Sequence, residues 1–91
     1  MPEVLFTVRL PDGAEKNCYS PSSVVREHFA AGEEMPMAEF VHRSRTALSE
    51  ASERVRAKYG FACSSAMDQL ATIVEWGGEY PPGGTVRIVQ I

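Results

Sequence analysis

The stretch from Met37 to Tyr59 is the longest uninterrupted periodic segment, and it constrains the fold more than any other. Met37, Phe40, Val41, Ser44, Leu48, Ala51, Val55 and Tyr59 recur at steps of three and four. That spacing puts them on one stripe of an α-helix of about six turns. Gly60 follows, where a residue with positive φ stops a helix. Apolar and polar residues do not alternate, so a strand reading fails over this run.

A helix of that length needs a surface to lie on, and the flanking sequence supplies short strands. Val4 to Leu10 alternates, with Val4, Phe6 and Val8 on one face. Pro11-Asp12-Gly13 is a turn, and Ala14 to Tyr19 returns as a polar strand that suits a sheet edge, where Lys16 discourages foreign pairing. Ser20-Pro21-Ser22-Ser23 starts a short helix with Ser20 as its N-cap, running through Val24, Val25 and Phe29 to Gly32. Serines at a helix start can hold an anion, but capping explains them sufficiently. Glu33-Glu34-Met35-Pro36 reads as a linker. A third helix follows Phe61, with Cys63 or Ser64-Ser65 at its start. Its buried stripe is Ala66, Met67, Leu70, Ile73 and Val74, and Gly77-Gly78 is its stop. Thr85 to Ile91 is a β-branched strand.

These elements predict an α+β fold in a single domain, 1–91. A three-stranded sheet, formed by the N-terminal hairpin and the C-terminal strand in order 2-1-3, is covered on one face by a short, a long and a third helix. The last strand is expected beside the first and parallel to it. A chain of 91 residues buries only roughly 60–65% of its unfolded surface, so self-association would help its stability.

The net charge of −3 argues against a dedicated nucleic-acid binder, although a basic face remains compatible with it. No apolar run approaches the ~18 residues of a membrane span, and Met1-Pro2-Glu3 lacks a secretion pattern, so a cytoplasmic location is expected. Cys18 and Cys63 are too isolated for a disulfide framework, and the histidines do not complete a zinc set. Both thiols read most simply as small apolar residues, with a reactive pair as the alternative.

The long helix carries a second stripe of His42, Arg45, Ser49, Ser52 and Arg56, a quarter-turn from its apolar face. Small serines between two guanidinium groups and an imidazole form a shallow cationic groove, fit for an acidic partner helix or a phosphate. The plain alternative is a solvated flank, in which Glu39–Arg43 and Glu50–Arg54 are ordinary i,i+4 pairs. Tyr59 and Phe61 are expected to lock the corner after the long helix by packing. Trp76 is either an exposed anchor for a partner or a closure of the core against Pro81-Pro82. No catalytic residues are assigned, because nucleophile, phosphate-loop, metal and cofactor motifs are absent from the sequence.

Three stretches carry a family resemblance: Cys18-Tyr19-Ser20-Pro21-Ser22, Phe40-Val41 with Arg43 to Leu48, and Ala51 to Ser64, continued by Asp68-Gln69-Leu70-Ala71. Together they resemble a family of small bacterial nitrogen-starvation response proteins. The resemblance implies a gene cluster with a nitrilase, a radical S-adenosylmethionine protein, acetyltransferase-like and synthetase-like proteins and a flavoprotein, linked to nitrile or cyanide nitrogen use. It implies no catalytic residues and no cofactor. The favoured function is therefore a non-catalytic accessory protein that binds a protein of that cluster, or itself, through residues 37–59. The alternative is a small enzyme subunit or ligand-binding protein using Cys63 or Cys18 with His42, which needs a depressed thiol pKa.

Overall fold

The computed structural model describes residues 3–61 and 64–91. Its elements are β1 (Val4–Arg9), β2 (Glu15–Ser20), a short 3₁₀ helix (Ser23–Glu27), β3 (Glu34–Pro36), α1 (Met37–Tyr59), α2 (Ser64–Glu79) and β4 (Thr85–Gln90). The architecture is α+β, with four strands in the order β2-β1-β4-β3. The C-terminal strand does lie beside β1, but every strand pairing is antiparallel. The parallel expectation fails because α1 and α2 form an antiparallel pair, which returns the chain on the side from which it left.

The fourth strand is the segment expected to be a linker. Met35 pairs with Val86, and the ladder is extended when Gly32 N donates to Ile88 O at 2.6 Å and Ile88 N to Glu33 O at 2.8 Å. Three residues ending in proline carry no strand signal of their own. Pairing with β4 creates the strand, at a sheet edge where proline's missing donor is tolerated. The other edge, β2, is covered where Tyr19 N donates to the Gln69 side chain of α2 at 3.0 Å.

One sheet face is apolar and buried, carrying Val4, Phe6 and Val8 of β1, Cys18 of β2, Val86 and Ile88 of β4 and Met35 of β3. Both helices pack on it. Phe40 of α1 meets Phe29 with centroids 5.7 Å apart, and Phe29 meets Phe6 at 6.2 Å, so a chain of rings joins helix to sheet.

The N-terminus of α1 follows Pro36, whose side chain cannot cap it. Backbone carbonyls do so instead: Met37 N donates to Gly84 O at 2.7 Å and Ala38 N to Pro82 O at 3.0 Å. The Pro81-Pro82-Gly83-Gly84 loop is thus both the break after α2 and the cap of α1. At the far end Gly60 adopts φ 86°, as expected of a left-handed stop.

Several local expectations are corrected. Ser22, not Ser20, caps the short helix, its hydroxyl accepting from Val24 N at 3.3 Å, because Ser20 still belongs to β2. That helix is a 3₁₀ turn rather than an α-helix, so the described residues form two α-helices. Gly77-Gly78 does not stop α2, which continues to Glu79. Glycine costs a helix only about 1 kcal/mol per residue relative to alanine, and packing offsets it here. A Cβ on Gly77 would lie 2.8 Å from Val41 Cγ2, so the missing side chain lets α2 approach α1 closely. Tyr59 and Phe61 are 55% and 68% exposed and do not lock the corner. The start expected at Cys63 lies outside the described residues.

Arg43 ties the short helix, β3 and α1 together. Its guanidinium donates to Glu33 through both nitrogens at 2.8 and 3.1 Å, to Glu39 at 3.2 Å and to the His28 carbonyl, and it lies over the Phe29 ring at 5.2 Å. Glu39–Arg43 is the expected i,i+4 pair. Glu50 and Arg54 instead reach back to His28 and Glu27, because the short helix packs along that side of α1.

Two predictions follow from these contacts. Arg43→Ala should lower unfolding free energy by roughly 1.5–3 kcal/mol, measured by chemical denaturation. Hydrogen bonding to Arg43 holds the Glu33 carboxyl below its ordinary range. Its contribution is therefore complete above the unfolded glutamate pKa of ~4.3 and lost as pH falls through the lower folded value, so the gap between wild type and Arg43→Ala should shrink in acid. Around a Cβ on Gly78 nothing lies within 4 Å, so Gly78→Ala should stabilise by about 0.5–1 kcal/mol. Gly77→Ala should show no such gain, because overpacking against Val41 offsets it; thermal unfolding of the pair checks this.

Candidate functional site

Helix α1 has two flanks with different neighbours. Arg43, Glu50 and Arg54 lie on the flank that pairs with the short helix and the segment leading into β3. Val41 lies on the other, against Gly77 of α2. At roughly 100° per residue, Ala38, His42, Arg45, Ser49 and Arg56 cluster on the solvent side of this second flank. All five are exposed. Ser52, expected in the same stripe, is 6% exposed and turns under toward the core. The exposed stripe is thus His42, Arg45, Ser49 and Arg56, bordered by exposed Glu53, which pairs with Arg56.

Across from it, α2 presents a wall of different character. Met67 and Val74 stand seven residues apart and are each 39% exposed, although their spacing had placed them in the buried stripe. They sit at the rim of that stripe, where α1 does not cover them. Asp68 and Glu75, also seven apart, run beside them and are exposed. Helix α2 contains no lysine or arginine. Between the walls an apolar cleft of about 210 Å³ is lined by Met37, Ala38, Val41, Val74, Gly77 and Pro82.

The cleft is therefore apolar, with Arg45 exposed beside it on α1, while Asp68 and Glu75 lie on the outward face of α2, about 100° round the helix from Val74. Among the described residues Arg45, Asp68 and Glu75 form no ion pair, while Arg56 meets Glu53 of its own helix at 3.5 Å. Exposed charges held apart in this way keep their capacity for a partner. The cleft is smaller than the roughly 300–1,000 Å³ of a typical small-molecule site, and its volume suits one or two apolar side chains.

The remaining candidates are placed elsewhere. Trp76 is partly buried and packs against the core, so it closes the fold rather than projecting from it. Nearby, Tyr80 Oη donates to Asp12 Oδ2 at 2.9 Å, joining the end of α2 to the β1–β2 turn. Hydrogen bonds from the Ala14 backbone and from Tyr80 lower the Asp12 pKa, and the bond to Asp12 raises that of Tyr80. Cys18 lies on the buried sheet face, and burial pushes its thiol up to about 12, the opposite of an activated nucleophile. His42 lies on the solvent side of α1, on the far side of the helix layer from that face. Cys63 lies outside the described residues. Among the described residues no three or more His, Cys, Asp or Glu side chains gather as a metal set, and no helix is long and apolar enough to cross a membrane.

Sequence reasoning found the cations of α1 and missed the exposed carboxylates Asp68 and Glu75 of α2. The available signal was the absence of any cation from Ser64 to Glu79 together with the seven-residue spacing of Asp68 and Glu75.

No curated protein and no solved structure matches this chain. A family model does, over residues 5–91, and its description is nitrogen starvation-induced protein NitG. With that match spanning nearly every residue, including both walls of the groove, the chain belongs to the NitG family of nitrogen starvation-induced proteins.

Proposed function

We propose that this chain is a non-catalytic interaction protein of the nitrogen-starvation response, docking a partner through α1 and the groove beside it. The partner is a protein encoded in the same gene cluster, of the nitrilase and cyanide-assimilation type, or a second copy of the chain. The observation that carries this reading is the apolar cleft lined by Val41 and Val74, with the exposed guanidinium of Arg45 beside it on α1. An apolar floor with a charged rim is the anatomy of a protein interface, where the centre supplies affinity and the rim orientation. The high thiol pKa of Cys18 weighs against the thiol-enzyme alternative.

Calorimetric titration of the purified chain with each co-encoded protein tests the proposal. At least one should bind saturably, and replacing both Arg45 and Arg56 by alanine should weaken binding by roughly tenfold or more. Binding that is unchanged in the double variant would exclude this surface.

A further inference from the structure

We infer that the β1–β2 turn is a positioning element for the cleft. Its Pro11 and Asp12 hold the two ends of the loop that forms one cleft wall, so a change at the turn alters docking although neither residue lines the cleft. The inference rests on the docking reading and deepens it by naming the residues that set the shape of the site from outside. Pro82 is the link. It belongs to the cleft wall, and its carbonyl accepts from Ala38 N at 3.0 Å. Gly84 O accepts from Met37 N at 2.7 Å, and Gly84 N donates to Pro81 O at 2.9 Å, which closes the loop on itself. Where the loop stands over α1 therefore depends on what holds its ends.

Both ends meet the same turn. Before Pro82, the Tyr80 ring packs against the core and its hydroxyl donates to Asp12 Oδ2 at 2.9 Å. After it, Gly84 lies so close to Pro11 that a Cβ would stand 2.8 Å from the proline Cγ. The turn is itself fixed. Asp12 Oδ1 accepts from Ala14 N at 3.0 Å, Gly13 N donates to Leu10 O at 2.8 Å, and Leu10 N donates to Ala14 O at 2.8 Å. With one carboxylate oxygen held by its own turn, Asp12 offers the other to Tyr80 from a set position. A phenol donating to a carboxylate makes a charge-assisted bond, stronger than one between neutral groups. Lys16 and Glu79 are the other charges that bear on the pair, and among the described residues neither forms an ion pair.

Amide hydrogen exchange and calorimetry on the full chain test this. Tyr80→Phe keeps the packed ring and removes only the hydroxyl. It should speed exchange of the Met37 and Ala38 amides, whose acceptors are the loop carbonyls, by roughly five- to tenfold, while Ala47 and Ile88 in the core change by less than about twofold. Asp12→Asn keeps the turn-forming oxygen and a side-chain amide that can bond the phenol, so most of the wild-type protection should remain. Toward a co-encoded protein that binds wild type, Tyr80→Phe should weaken affinity by roughly three- to tenfold, because the loop holds the docking geometry for less of the time. Unchanged exchange at Met37 and Ala38 overturns the inference, and so does faster exchange there with affinity intact. Faster exchange spread evenly over the core amides also overturns it, since that marks a general loss of stability. A wild type that binds none of the co-encoded proteins sinks the docking reading, and with it the consequence for binding, whatever the exchange rates show.

Discussion

Phe29 is the hinge of the structure. Its ring lies between Phe6 of the sheet and Phe40 of α1, with Arg43 over it. Remove that ring and three elements lose their common contact: the central strand, the long helix and the short helix that ends just before it. The guanidinium sets the angle at which they meet, because its planar fork fits the Glu33 carboxylate while one of the same two nitrogens, Nη2, also donates to the His28 carbonyl. Apolar burial supplies most of the energy, and Arg43 the geometry. Both act on one flank of α1, and the other flank packs on α2 through Val41 and Gly77.

That second flank is shaped at its N-terminal end by another junction. Gly84 and Pro82 offer carbonyls to the first N–H groups of α1, and a Cβ on Gly84 would lie 2.8 Å from the Pro11 ring. The loop is therefore held between the β1–β2 turn and the helix start. Pro82 is also part of the cleft wall. The same backbone contacts that replace a missing side-chain cap thus build one end of the groove. In this way the cap of α1 and the wall of the cleft share residues.

How much of this was legible in the sequence depended on how local each cause was. α1 was readable from end to end because its apolar period and its left-handed glycine are local signals. β3 was not, since its three residues become a strand only against β4. Strand direction was missed because it depends on how two helices pack. Gly77 was misread as a stop when it is a contact point, a distinction that only the position of Val41 reveals. In the candidate site, the cations of α1 were visible as a stripe. Ser52 and Val74 show the limit of such stripes: both sit at a boundary, and a neighbouring helix decides which becomes buried. The carboxylates of α2 were overlooked because exposed acidic side chains on a helix of an acidic protein look ordinary.

The central claim is that the groove between α1 and α2, and not the outer face of the sheet, is the surface this chain uses. Amide chemical shifts followed by NMR across a dilution series, and again on adding a binding partner, test it most directly. The account predicts that Val41, Arg45, Val74 and Glu75 shift together while Thr7, Asn17 and Arg87 on the sheet's outer face stay fixed. Shifts confined to that outer face, with the groove residues unmoved, would contradict it.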